Sequence, residues 1–363
     1  MRAKIRNKYD DKYSVTVQLP KTPLELYDIL DRLGVDNKYC NVYINIDDER
    51  IPEEMCEGGF YDDLFKLNLL AQRLEQLTPS YTAGLKAVLL AHGDYNLDDL
   101  ILVTYVLDAY PIYPCRDYTE LGEVVIDNNM IPEVENCPDE LVKYLDKAAI
   151  GRLAAKQFKG TFVDGYYCEV SDYEQPDMEI NISKPKRNEF QILIGETEKT
   201  AQWCPMPYNG EYTEEQVYEL RSPLPYIDHV ENISKLNELA EKIGALDNAD
   251  LVKLKAVMEL GEIENEEGAI EVIDSLSEFE FDSLPRDENS YGKKYLQKLL
   301  PQDFDIEVLE VANLADIGSR ILEAKGGMVT SYGIISGQGQ ELYSPLFQEQ
   351  EQTEEEEMEV NLT

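Results

Sequence analysis

The sequence predicts an α+β fold, mainly helical, in an elongated multi-domain chain with small antiparallel sheets and an internal duplication. Three observations lead to this class. The chain has 363 residues, 43 % of them hydrophobic, which is enough for two or three domains. Amphipathic stretches with helical spacing outnumber the alternating stretches that are typical of strands. The phrase "KLNLLAQRLEQL" (Lys66 to Leu77) also returns as "KLNELAEKIGAL" (Lys235 to Leu246).

Residues 1–60 are predicted to form a small α+β domain. The alternating stretches Tyr13 to Pro20 and Asn41 to Asp48 indicate strands. Between them, Thr22 is expected to cap a helix, with Pro23 at its first position and Glu25 completing a capping box. Gly34 is expected to end this helix.

Residues 61–170 are predicted to form a helical unit, the first copy of the duplication. The apolar spacing indicates a series of helices, followed by a turn and a strand at 160–170. The predicted helices are 62–77, 83–93, 98–107, one around 121–126, and 141–158 as one continuous helix.

Residues 236–346 are predicted to form the second copy, because short phrases return at a nearly constant offset. "LKAV" occurs at 85–88 and 254–257, and "RDYTELG" at 116–122 aligns with "RDENSYG" at 286–292. This alignment pairs Gly122 with Gly292, Gly151 with Gly318 and Gly165 with Gly333. The alternative is two unrelated helical segments of similar composition.

The remaining segments differ from the two copies. Residues 171–235 are predicted to be a connecting domain with strands at "MEINISKP" (178–185) and "FQILIGE" (190–196). Residues 347–363 carry seven acidic and no basic residues, which predicts a disordered acidic tail.

The chain is strongly acidic, with 33 lysines and arginines against 73 acids and a formal net charge of −40. Such a field repels nucleic acid and anionic membranes, and it attracts cations or basic protein surfaces. Forty charges correspond to roughly 20 base pairs, or about 68 Å, of duplex DNA. A solvated surface or adaptation to salt explains the same composition without a partner.

The sequence contains few of the residues and segments that several classes of function require. Six scattered cysteines without a CxxC motif indicate free thiols, and two histidines make a histidine-based metal site or triad improbable on composition. We therefore expect no cofactor and no metal. No apolar run is long enough for a membrane helix, and the basic N-terminus lacks the apolar core of a signal peptide. An enzyme that uses buried carboxylates stays open as an alternative.

Several phrases of the first copy resemble the ArdA family of antirestriction proteins. They are "KLNLLAQRLEQL", "DDLILVTYVLDAY" (98–110), "ELGEVVI" (120–126) and above all "YLDKAAIGRLAAKQFKGTFVDGYYCEV" (144–170). The resemblance covers about residues 13–170 and, more weakly, 216–336. Lys147 stands where the family often has tyrosine, and the second copy has "LADIG" at the matching place.

The resemblance implies an acidic DNA mimic that occupies the DNA-binding cleft of type I restriction-modification enzymes. Members are carried by phages, plasmids and conjugative elements, so a cytoplasmic protein of a bacterial host is expected. No direct binding to nucleic acid, no membrane association and no enzymatic activity are implied. Members are usually dimeric, so this chain either forms a homodimer or replaces the dimer by its two copies.

The candidate partner-binding residues are acids from the matching segments of the two copies, which would stand where DNA phosphates stand. They are Asp94, Asp98, Asp99, Asp108, Glu120 and Asp146 in the first copy and Glu264, Glu266, Glu267, Glu278 and Glu280 in the second. The alternative is an acidic binding protein of a phage or mobile element that acts on another basic, DNA-binding partner.

Overall fold

A computed structural model of the chain describes residues 1–8, 13–35, 40–56, 59–93, 95–170, 173–210, 213–299 and 313–337. Helices predominate among them and the strands form small antiparallel sheets, which confirms the α+β, mainly helical class of the fold. None of the helices in these ranges has the length and apolar character needed to cross a bilayer. The predicted acidic tail, 347–363, lies outside the described residues.

The helices of the described residues are numbered in chain order. They are α1 (Pro23–Arg32), α2 (Glu53–Cys56), α3 (Leu64–Glu75), α4 (Pro79–His92), α5 (Leu97–Val106), α6 (Tyr118–Asp127), α7 (Pro132–Glu135), α8 (Asp139–Val142), α9 (Lys147–Phe158), α10 (Ile233–Ala245), α11 (Asn248–Leu260), α12 (Glu266–Ser275), α13 (Glu288–Leu299) and α14 (Leu314–Lys325).

The strands are numbered in the same way. They are β1 (Arg2–Arg6), β2 (Ser14–Gln18), β3 (Asn41–Asp47), β4 (Phe60–Asp63), β5 (Ile112–Tyr113), β6 (Thr161–Val163), β7 (Tyr166–Cys168), β8 (Gln191–Ile194), β9 (Gln202–Pro205), β10 (Val217–Arg221), β11 (Phe279–Asp282), β12 (Met328–Thr330) and β13 (Gly333–Gly337).

The chain divides into two compact units. The first consists of Met1–Lys21 and Tyr39–Lys184, and the second of Thr22–Lys38 and Pro185–Thr363. Helix α1 therefore belongs to the second unit, although the strands on either side of it belong to the first. The finer boundaries predicted near residues 60, 170 and 235 stay predictions.

The first unit begins with a four-stranded antiparallel sheet in the order β2-β1-β3-β4. Strand β1 lies between β2 and β3, with Ala3 opposite Val17 on one side and Ile46 on the other. Alternate residues of β1 are fully buried at Ala3 and Ile5. This period of two gives the sheet one apolar face.

The first unit continues with α3, α4 and α5, and then with a helix pair and a small sheet. Helices α6 and α9 cross at Gly122 and Gly151, where a Cβ on Gly151 would lie 1.8 Å from the carbonyl oxygen of Tyr118. Only glycine permits this approach of two backbones. Strands β5, β7 and β6 form an antiparallel sheet in that order.

The second unit contains a three-stranded sheet in the order β10-β8-β9, and its largest core lies on α10, α11 and α12. Leu236, Leu239 and Ile243 of α10 are fully buried at the helical spacing of three and four. Asn232, Asp247 and Asn265 cap the three helices, each accepting a hydrogen bond from a backbone N–H in the first turn.

The second unit then repeats the order of elements seen in the first. Helices α13 and α14 cross at Gly292 and Gly318, where a Cβ on Gly318 would lie 1.8 Å from the carbonyl oxygen of Glu288. Strands β11, β13 and β12 form an antiparallel sheet in the order of β5, β7 and β6. The same order agrees with a duplication, which stays a prediction.

Helix α1 begins and ends as the sequence predicts. Thr22 accepts a hydrogen bond from the backbone N–H of Glu25, and the Glu25 carboxylate accepts one from the N–H of Thr22. Gly34 follows with a φ of 60°, in the left-handed region. Within the second unit, Arg32 donates to the hydroxyls of Ser331 and Tyr332 at 3.0 and 2.9 Å.

Three sequence-based expectations are wrong in detail. The predicted helix 141–158 is divided into α8 and α9, because Asp146 caps α9 by accepting a hydrogen bond from the N–H of Ala149. The stretch 178–185 pairs with no strand of the described residues and forms none itself. Gly333 matches Tyr166 rather than Gly165, because Thr330 pairs with Gly333 as Val163 pairs with Tyr166.

Candidate functional site

The densest run of acids among the described residues lies in the second unit, from Glu262 to Asp282. This stretch contains nine acids and no lysine or arginine. We call it the unit 2 acidic segment. Its exposed members are Glu262, Glu264, Glu267, Glu271, Asp274, Glu278 and Glu280.

Helix α12 directs Glu267, Glu271 and Asp274 outward because its other face is apolar. Ala269, Ile270 and Val272 are buried in the core of the second unit, and Leu276 follows them in the next turn. The side chain of Asn265 caps the helix by accepting a hydrogen bond from the N–H of Gly268 at 2.9 Å. Acids in the first turn are also favoured by the positive end of the helix dipole.

Four of the five acids predicted in the second copy are exposed: Glu264, Glu267, Glu278 and Glu280. Glu266 is the exception and corrects the prediction. It is only 2 % exposed, and its carboxylate accepts a hydrogen bond from the backbone N–H of Glu231 at 3.0 Å. Glu266 therefore has a structural role and cannot present its charge to a partner.

Most charges of the unit 2 acidic segment are not neutralised by neighbours. Lys242 pairs with Asp274, Lys294 pairs with Asp282, and Lys235 lies 4.0 Å from the Glu267 carboxylate. The other exposed acids of the segment form no ion pair with the described residues. They are Glu262, Glu264, Glu271, Glu278 and Glu280.

The matching acids of the first copy are more engaged within the fold. Lys66 donates to Asp98 at 2.8 Å. Asp99 accepts from the backbone N–H of Asn96 at 3.1 Å and from the amide of Gln175 at 2.6 Å. Both carboxylates are half-buried, so these two predicted residues act first as structural groups. Asp94 lies outside the described residues.

Of the other three predicted acids of the first copy, two are exposed and one is partly buried. Asp108 is exposed in a short 3₁₀ turn, Leu107–Ala109. Asp146 is exposed and caps α9. Glu120 is partly buried and accepts a hydrogen bond from the backbone N–H of Arg116 at 2.7 Å.

A second acidic surface in the first unit was not predicted. From Asp117 to Asp146 the chain carries nine acids and Lys143 as its one basic residue. We call it the unit 1 acidic segment. Its exposed members beyond those predicted include Glu123, Asp127, Glu133, Glu135, Asp139 and Glu140. A count of acids against bases along the sequence would have revealed it.

Local hydrogen bonds keep the start of the unit 1 acidic segment ionised. The backbone N–H groups of Glu120 and Thr119 donate to the Asp117 carboxylate and hold its pKa below the usual range. Farther along, Glu123 pairs with Lys147, and Glu133 accepts from the amide of Gln157 at 3.2 Å. Among the described residues, one of the nine acids of this segment is therefore paired with a base, compared with three of the nine in the unit 2 acidic segment.

The described residues contain no group of three or more histidine, cysteine, aspartate or glutamate side chains placed to hold a metal ion. A cleft of about 270 Å³ in the first unit is lined by Arg73, Tyr105 and Asp108. Its Arg73 guanidinium lies 4.0 Å from the Tyr105 ring centre and donates to the carbonyl oxygen of Thr104, so it serves packing.

A function of the protein is argued mainly from the two acidic segments, because comparison with known proteins adds no family. No model of a known protein family matches the chain, and no curated protein matches it.

Proposed function

We propose that the protein is an antirestriction protein that mimics DNA and blocks the DNA-binding cleft of a type I restriction-modification enzyme. The observation that carries the proposal is the unit 2 acidic segment, in which seven exposed acids occur without a single base. The exposed acids of the unit 1 acidic segment and the resemblance of residues 13–170 to the ArdA family support it further.

The proposed mechanism is competition without chemistry. A cleft that binds DNA is lined by basic side chains, because most of the binding energy comes from phosphates. Carboxylates on a protein surface satisfy the same lysines and arginines. The net charge of −40 also speeds encounter with a basic cleft through long-range attraction, and it disfavours direct binding to nucleic acid. The proposed place of action is the cytoplasm of a bacterial host.

A competition assay tests the proposal. Labelled duplex DNA is bound to a type I methyltransferase core, and the full chain is added at increasing concentration. The wild-type protein should displace the DNA, and higher salt should weaken the displacement because exposed charges are screened. Displacement that does not change with salt would argue against mimicry.

The block variant in this assay is Glu262→Gln, Glu264→Gln, Glu267→Gln and Glu271→Gln together. Each exposed ion pair contributes roughly 0.2–1 kcal/mol, so the four changes together should weaken competition by about fourfold or more. The matched control neutralises four exposed acids beside the β8–β10 sheet of the same unit: Glu196, Glu198, Glu215 and Glu219.

The control changes the net charge equally and should reduce competition far less than the block variant. If both variants lose the same amount of competition, only the overall electrostatic field matters, and the unit 2 acidic segment is not the contact surface. If the wild-type protein displaces no DNA from the type I enzyme, the proposal is wrong, and the alternative of another basic, DNA-binding partner is tested in the same assay.

A further inference from the structure

We propose that the second unit contains a binding site for a small phosphate-bearing molecule of about the size of a nucleotide. The site is a cleft of about 340 Å³ between α13 and the sheet formed by β11 and β13. We call it the lysine cleft, because Lys294 and Lys298 of α13 and Lys325 at the end of α14 all line it. This inference does not depend on the proposed function.

The charge of the cleft is unexpected in this chain. Acids outnumber bases by more than two to one, yet three lysines converge on one cavity. Lys294 donates to the carboxylate of Asp282 at 2.5 Å. Lys298 and Lys325 are exposed, and neither forms an ion pair with the described residues. The carboxylate of Glu280 also lines the cleft, so three lysines and two acids leave a net charge of +1 among its lining residues.

The size of the anion follows from the electrostatics of the whole chain. At physiological salt, charges are screened over about 8 Å, so a small anion inside the cleft responds mainly to the nearby lysines. A long polyanion would extend over the acidic surface and be repelled. The cleft therefore favours a small molecule over nucleic acid or an acidic peptide.

The walls of the lysine cleft offer aromatic, apolar and hydrogen-bonding groups to the part of the molecule that carries the phosphate. Tyr291 and Tyr295 supply aromatic surface from α13, and Ile334 supplies apolar surface from β13. Asp282 and Ser336 add groups that accept hydrogen bonds. A cavity of this volume lies at the lower end of the range for small-molecule sites, which matches one nucleotide.

The cleft is not a consequence of the element order that the two units share. By the predicted alignment, Lys294 corresponds to Val124 of α6 and Lys325 to Phe158 of α9. In the first unit these two side chains pack against an apolar core that includes Ile131. The same place is thus apolar and filled in one unit, and cationic and open in the other.

Calorimetric titration of the full chain at low salt tests the site with AMP, inorganic phosphate and uncharged adenosine. AMP should bind and adenosine should not, and inorganic phosphate should compete with AMP. The double variant Lys298→Gln and Lys325→Gln should weaken AMP binding at least tenfold. The matched control is Lys293→Gln, an exposed lysine of the same helix that does not line the cleft.

The control should bind AMP like the wild-type protein. Absence of AMP and phosphate binding, or equal losses in the double variant and the control, would overturn the proposal. Because all three substituted lysines are exposed, circular dichroism of each variant should match the wild-type spectrum, and binding can be compared directly.

Discussion

The ammonium nitrogen of Lys255 lies 2.8 Å from a carboxylate oxygen of Asp31, and each of the two side chains is 1 % exposed. The same nitrogen lies 3.2 Å from Asp28, and the Tyr332 hydroxyl donates to Asp28 at 2.7 Å. Arg187 also contacts Asp31. Charges this deeply buried are tolerated only with partners, so α1 and α11 are joined by a charge network within the second unit.

Replacement of Lys255 by methionine should destabilise the second unit by about 3 kcal/mol, because the buried carboxylate of Asp31 and the partly buried carboxylate of Asp28 lose a cation. Arg187 remains beside Asp31 and limits the loss. Urea unfolding measures the change. The matched control is Lys253→Met on the same helix, a partly exposed lysine without an ion pair among the described residues, which should shift stability by less than about 0.5 kcal/mol. Equal effects of the two variants would contradict the network.

The helix crossing in the second unit should not tolerate a methyl group. In Gly318→Ala the new Cβ would lie 1.8 Å from the carbonyl oxygen of Glu288, so the backbones must separate. We expect a loss of about 3 kcal/mol or more in urea unfolding. Gly244→Ala in α10 is the control, because nothing lies within 4 Å of its added Cβ. That variant should gain about 0.5–1 kcal/mol.

Glu266 should matter as a hydrogen-bond acceptor rather than as a charge. Glu266→Gln keeps an acceptor for the backbone N–H of Glu231 and should change stability little. Glu266→Ala leaves that group without its partner and should cost about 1–3 kcal/mol. The two variants are compared by thermal unfolding. If Gln destabilises as much as Ala, the buried charge itself is needed.

The buried thiols should make the first unit less stable at high pH. Burial raises the pKa of Cys168 from 9.0 to about 12, and burial also raises the pKa of Cys115. Above pH 9 the unfolded thiols lose their protons while the folded thiols keep them, so stability falls as pH rises. The slope is at most about 1.4 kcal/mol per pH unit for each thiol.

Urea unfolding of wild-type protein and of Cys168→Ala between pH 8 and pH 10.5 checks this sign. The variant should show the smaller decrease with pH. Alkylation gives an independent measure at pH 8, where the buried Cys168 should be protected until the protein unfolds and the partly exposed Cys137 should react in the folded state. If the stability of the wild-type protein rises between pH 8 and pH 10.5, and rises faster than that of the variant, the predicted effect of the Cys168 thiol is wrong.

The local elements could be predicted because their signals act over a few residues. Thr22, Pro23 and Glu25 start α1 through contacts within one turn, and Gly34 ends it with a positive φ. Strand β3 follows directly from alternation, with Val42, Ile44 and Ile46 buried. Strand β1 was missed, because its five residues contain three basic side chains and become a strand only between β2 and β3.

Part of the candidate site could be predicted in the same way, and part could not. The acid count along the chain places the unit 2 acidic segment, and the apolar spacing of α12 indicates which of its faces is buried. The neighbours Glu266 and Glu267 are chemically identical, yet Glu266 is 2 % exposed and the Glu267 side chain 73 %. The difference arises from the backbone of Glu231, which is 35 residues away in the chain.

The sequence by itself determined the α+β, mainly helical class of the fold, the start and end of α1, and the excess of acids, because caps, apolar spacing and composition are local properties. Only the tertiary structure decided that α1 belongs to the second unit, that Lys255 is buried against two aspartates, and that three lysines line one cleft. Each of these depends on residues far apart in the chain, and burial and charge pairing are fixed only when such residues meet.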